Sequence, residues 1–173
     1  MKIALACDHG ALDLKNKVSA HLSARGFEVK DFGTHTLDSC DYPDFCAAAA
    51  KAVAAGEFDR GIVLCTTGIG ASIAANKVDG IRCALLSDCW SAKMTRAHND
   101  TNMMALGAAV VGDLLALEIV DIWLDTEFSH EAKHQRRIDK VMALLFQMGN
   151  NLVLQGQCAV ITANRNFHIC ISP

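Results

Sequence analysis

Gly61-Ile62-Val63-Leu64-Cys65-Thr66-Thr67-Gly68-Ile69-Gly70 is the stretch whose reading decides the fold. A short apolar run without polar alternation fits a strand covered on both faces. The polar turn after Cys65 carries two glycines and opens a helix-forming segment, Ile69 to Asn76. The same grammar repeats outward in both directions. Lys2 to Cys7 is followed by a helical stretch from Leu12 to Arg25, and Phe27 to Phe32 by one from Asp44 to Ala55. Downstream come a strand from Ile81 to Ser87, a helix from about Trp90 to Ala97, a strand from Met103 to Val111 and a helix from Asp113 to Leu124. Strand and helix taking turns predicts an α/β protein: a three-layer, doubly wound, Rossmann-like sandwich on a mainly parallel five-stranded sheet, followed by a C-terminal helix and tail.

The chain has 173 residues, 51% hydrophobic and 20% charged, with a net charge of -3. That is one domain of ordinary size, and the balance excludes a disordered chain and a polybasic nucleic-acid binder. No apolar run reaches the roughly 18 residues of a membrane span, and Met1-Lys2-Ile3 leads straight into a strand rather than a signal segment. A cytoplasmic protein is expected, with a small-molecule partner, no nucleic acid and no membrane. The eight cysteines contain no C-x-x-C pair, and Cys7, Cys65 and Cys83 lie in runs that read as buried strands, so the thiols are expected to be free. The domain is expected to span 1–148. The tail 149–173 is apolar, with Arg165 its one charge, and has to pack on something.

In open sheets of this kind ligands bind beyond the carboxyl ends of the strands. Asp8-His9-Gly10 follows the first strand, Gly33-Thr34 and Asp41-Tyr42-Pro43-Asp44 the second, and Thr66 to Gly70 the third. The Thr66 to Gly70 turn, with backbone N–H groups at a helix start, suits negative charge. It is neither a Walker A loop, since Ala71-Ser72 follows Gly70, nor a complete dinucleotide fingerprint. Cys65 at its mouth is placed as a base or nucleophile, because a thiolate is favoured near a helix start. The opposing reading is an inert buried thiol and glycines that serve packing alone. His9 and His98, each beside a polar neighbour, are expected on the same sheet edge as Cys65. His130-Glu131-Ala132-Lys133-His134 matches the zinc signature H-E-x-x-H in form, but the surrounding cations Lys133, Arg136, Arg137 and Lys140 oppose a dication, and no metal is expected. The basic cluster is either a solvated helix face or a phosphate clamp.

Together these segments resemble the type B ribose-5-phosphate isomerase family, which includes the galactose-6-phosphate isomerase subunits. The resemblance is carried in order by Cys7-Asp8-His9-Gly10, Asp31 to Thr34, Asp41 to Asp44, Cys65 to Gly70, Ser72 to Lys77, Gly80-Ile81-Arg82, His98 to Asn102 and His134 to Arg137, and runs from Met1 to about Leu145. It implies an aldose-ketose isomerase without cofactor. Cys65 would be the base at C2. Thr67 and the amides of Gly68, Ile69 and Gly70 would cradle the enediolate, with Thr66 at the same turn. His98 would open the sugar ring with help from Asp8, Asn99 and Tyr42 would hold hydroxyls, and His9, Lys133 and Arg137 would hold the phosphate. It also implies a homodimer, or a dimer of dimers, with sites across the interface and His98, Asn99 and the basic helix supplied by the neighbour.

Three positions depart from the family pattern. Thr66 stands where a glycine accompanies this cysteine, and Ala109 and Lys133 stand where arginines touch the phosphate. Lysine keeps the charge without the bidentate fork, and alanine loses the contact. The resemblance therefore implies ribose 5-phosphate and ribulose 5-phosphate as substrates. The alternatives are allose 6-phosphate, galactose 6-phosphate or a tetrose phosphate, or a sugar-phosphate-binding subunit without catalysis. Against the last, Cys65, Thr67, His98 and Asn99 are all present.

Overall fold

The computed structural model describes residues 1–154, 158–161 and 167–170, with side chains through Leu144. The expected alternation is realised. Strands β1 (Lys2–Cys7), β2 (Glu28–Asp31), β3 (Arg60–Cys65), β4 (Cys83–Leu85) and β5 (Met103–Gly107) interleave with helices α1 (Leu12–Ala24), α2 (Tyr42–Ala54), α3 (Ile69–Ala75), α4 (Cys89–Asn99) and α5 (Asp113–Asp125). The five strands form one sheet in the order β2-β1-β3-β5-β4, every pair parallel. Helix α6 (Ala132–Leu154) packs against α4 and continues past the change of composition at Gly149. Strands β6 (Cys158–Ile161) and β7 (Phe167–Cys170) pair antiparallel. No described helix is long and apolar enough to cross a membrane.

The two faces of the sheet are built from differently sized side chains. Along β1, Ile3 and Leu5 point to one side, where Leu14, Val18 and Leu22 of α1 and Ile119, Val120 and Trp123 of α5 cover them. Ala4 and Ala6 point to the other, and there Ala49 and Ala50 of α2 and Ala71 and Ala75 of α3 meet them. Along β1 the bulky residues thus face bulky helices and the small ones face small. Lys15 lies on the buried stripe of α1 with 0% exposure, and its ammonium is met by Asp31 Oδ2 at 2.6 Å and the Thr34 carbonyl at 2.9 Å. This buried clamp ties α1 to the loop after β2.

The chain leaves β1 for β2 on one side and returns to β3 on the other. The carboxyl ends of β1 and β3 therefore open a crevice between diverging connections, the place where doubly wound sheets bind ligands. At the far edge, β4 is shorter than expected because it pairs with β5 alone. Cys83, expected to be buried, is half-buried there for the same reason. The Asn76 side chain completes this edge: its Nδ2 donates to the Cys83 carbonyl and its Oδ1 accepts the Cys83 N–H, both at 2.8 Å.

Candidate active site

Cys65 is the last residue of β3 and is 5% exposed. The chain then turns through Gly68, whose φ of +75° belongs to the left-handed region that glycine adopts without strain. A Cβ there would also lie 2.8 Å from the Gly107 nitrogen, so the turn can lie against the end of β5 only with glycine at this position. The result is chemical as well as steric: the Gly68 N–H donates to Cys65 Sγ at 3.1 Å and so ties the thiol to the turn. Thr67 Oγ1 accepts the Ile69 N–H at 3.4 Å. Tyr42, in the first turn of α2, lays its ring over Gly70, where a Cβ would lie 2.6 Å from its Cζ.

The end of β1 completes this wall of the crevice. Asp8 is 6% exposed and caps the short turn after β1, with Oδ1 accepting the Gly10 N–H at 3.0 Å. His9 Nδ1 accepts the Cys40 N–H at 3.2 Å. With Nδ1 filled as acceptor, the neutral ring carries its proton on Nε2, which remains a donor for an anion or hydroxyl. Thr66 has room because residue 10 is glycine, since a Cβ on Gly10 would collide with the Thr66 hydroxyl. The other strand-end thiol, Cys7, is the inert contrast. It is fully buried, and burial pushes it up to about 12.

His98 and Asn99 do not lie on this edge, contrary to expectation. They end α4, which runs antiparallel to the strands and delivers the chain to the start of β5, where Met103 pairs with Gly61 at the start of β3. From Gly61 to Cys65 is four steps of about 3.3 Å, so the sheet alone puts more than about 13 Å between the two groups. A second polar assembly occupies this amino end. Asp100 closes α4 in the left-handed region at φ +44°. Arg96 Nη1 holds its carboxylate and the Thr101 carbonyl, each at 2.7 Å, while Arg82 Nη2 donates to the Asp100 carbonyl at 2.6 Å. Asn99 and Arg137 line one cavity of about 320 Å³ together with Arg82 and Thr95. Lys133 pairs with Glu131 at 2.7 Å. Helix α6 begins at Ala132, so His130, at φ +55°, precedes it and packs on Phe128, while His134 stacks on His98. The two histidines of the H-E-x-x-H motif thus do not share the helical turn that ligation of zinc needs.

Ala109 borders a recess of about 220 Å³ with Gly10, Asp13 and Asp113, whose carboxylates Lys17 bridges at 2.5 and 2.6 Å. Sequence reasoning missed the Lys15 clamp and the Arg82, Arg96 and Asp100 knot. The signal for the first is a lysine in register with Leu14, Val18 and Leu22 on an apolar stripe.

Comparison with known proteins places the chain by family and fold. The family model described as Ribose/Galactose Isomerase matches residues 3–141. Ribose-5-phosphate isomerase B of Escherichia coli is 48% identical over 143 residues, covering 83% of this chain and 95% of that protein. Among solved structures, that of Clostridium thermocellum ribose-5-phosphate isomerase B superposes with a TM-score of 0.84 at 51% identity, covering 86% of this chain and 99% of that one. The ribose-5-phosphate isomerase B from Mycoplasma genitalium, solved with bound ribulose-5-phosphate, superposes with a TM-score of 0.79 at 39% identity, covering 83% and 95%.

Proposed function

This chain belongs to the ribose/galactose isomerase family, and from that premise we propose that it interconverts ribose 5-phosphate and ribulose 5-phosphate through an enediolate. The observation that carries the chemistry is the Gly68 N–H on Cys65 Sγ, which holds the sulfur beside a turn of backbone donors. Cys65 takes the C2 proton and returns it to C1, while the hydrogen of the C2 hydroxyl passes to O1, so atoms and electrons balance within the sugar. Thr67 and the turn amides stabilise the negative oxygens, and neither step calls for a metal or an organic cofactor. For the closed sugar, His98 protonates the ring oxygen as its bond to C1 breaks, and Asp8 accepts the C1 hydroxyl proton. Asn99 and Tyr42 hold hydroxyls, and His9, Arg137 and Lys133 the phosphate.

These roles fall at opposite ends of one sheet, so we assign the complete site to two copies, the carboxyl end of one facing the amino end of the other. Exposed Ile69, Ile73 and Leu85 beside the turn offer an apolar face for that contact. The enzyme is read as cytoplasmic, a homodimer or dimer of dimers, with the unit at 1–148 and 149–173 as an appendage. The recess at Ala109 favours a second substrate reading. Its two carboxylates, bridged by Lys17, can accept hydroxyl hydrogens, which suits the extra hydroxyl of a six-carbon sugar phosphate.

The test is turnover in deuterated solvent, with and without chelator, across four-, five- and six-carbon sugar phosphates. Ribose 5-phosphate should isomerise with solvent deuterium entering carbon, and Cys65→Ala should lose roughly 10² to 10⁴ in kcat. Exchange at the wild-type rate in that variant removes Cys65 as the base.

A further inference from the structure

His134 is left without a task by the roles above. It sits on a basic helix yet is only 5% exposed, and its Nε2 is buried with no hydrogen-bond partner among the described residues. Its ring lies parallel to that of His98, centroids 4.2 Å apart and planes 12° apart. The groups facing it are His98 from α4, Glu131 just before α6, and Lys133 and Arg137 from the start of α6, with Glu131 Oε1 at 3.7 Å from Nε2.

Two imidazolium rings do not stack face to face at this distance, because their charges repel and the inner ring has no water to screen it. The stack therefore disfavours a positive charge on both rings at once. Burial first, then the charges of His98, Lys133 and Arg137, hold His134 below the usual histidine range, and Glu131 opposes them without reversing the sum.

We infer that His134 is a positioning residue: its buried ring is the platform that sets the plane of the His98 imidazole. The inference rests on the ring-opening role of His98 proposed above. It also accounts for the second histidine of the H-E-x-x-H motif without a metal.

The test joins a titration with a kinetic split. The imidazole of His134 is followed by NMR against pH in the wild-type protein and in His98→Asn. Loss of the neighbouring charge should move its midpoint up, and an unchanged midpoint overturns the inference. The kinetic arm compares ribose 5-phosphate, which is mostly ring-closed, with exchange of the C1 proton of ribulose 5-phosphate, which stays open because its O5 carries the phosphate. His134→Ala should lower turnover of ribose 5-phosphate by about tenfold or more and leave the exchange within about threefold, while His134→Phe, which keeps a flat ring in place, should restore most of the loss. Equal losses in both assays for His134→Ala, with an unchanged melting temperature, overturn the positioning role. Equal losses for His98→Asn remove ring opening by His98 itself, and the inference falls with it. Should His134→Ala fail to fold, the titration in His98→Asn decides alone.

Discussion

At the carboxyl end of the sheet, position is set by backbone. Gly68 turns under Gly107, the thiol of Cys65 is met by an amide, and Tyr42 rests on a glycine. At the amino end, position is set by long side chains: Arg96 and Arg82 tie down Asp100, and two imidazoles stack. Backbone donors have little freedom to lose, which suits stabilising charge as it develops on a reacting oxygen. Arginines and histidines reach further and titrate or fork, which suits opening a ring and gripping a phosphate. The proposed division of labour follows this contrast, and so do the ways to break it.

The largest effect should come from mixing chains. Cys65→Ala and His98→Asn should each be almost inactive alone. Dissociated and reassociated together in equal amounts, half of the dimers should be mixed, each with one intact site, so activity should return to about a quarter of wild type. No recovery would mean that both ends serve one site within a chain.

Next in size, Arg137→Ala should raise KM for ribose 5-phosphate by roughly 10- to 100-fold with kcat within about threefold, because a lost phosphate contact acts mainly as lost uniform binding. Initial-rate kinetics at fixed ionic strength measure it. An unchanged KM would make the amino-end cations a solvated face. Smallest should be the gain from Ala109→Arg, a drop in KM of about two- to fivefold. The new guanidinium would fill the recess, but Asp13 and Asp113 compete for it, so the fork reaches the phosphate only part of the time. A rise in KM with a gain in melting temperature would show that the carboxylates capture it outright.

The strands were legible because burial on both faces leaves unbroken apolar runs, and β1 was expected and found at Lys2–Cys7. Strand β4 was overdrawn, since Ile81 to Ser87 reads as a strand by composition while a single neighbour sustains only Cys83–Leu85. The carboxyl-end residues were legible for a topological reason: a residue following a strand must lie at that end. The same reasoning turned round would have placed His98 correctly, because a residue preceding a parallel strand lies at the opposite end. The Lys15 clamp and the Arg96 knot were not legible, because their partners are chosen by packing. Lys15 meets Asp31 only once α1 has docked on β1 and β2, and although Arg96 and Asp100 are four residues apart, the Thr101 carbonyl and Arg82 join them only through the end of α4 and the loop before β4.

The Asn76 amide on Cys83 reaches beyond the edge it completes. An open strand edge is a template on which any extended peptide can add by backbone hydrogen bonds, the first step towards cross-β fibres. One side-chain amide occupies the donor and acceptor through which β4 would recruit such a strand. Asn76→Ala would leave the reacting groups untouched and free that edge, so its harm would surface as light scattering on storage or heating rather than as slower catalysis.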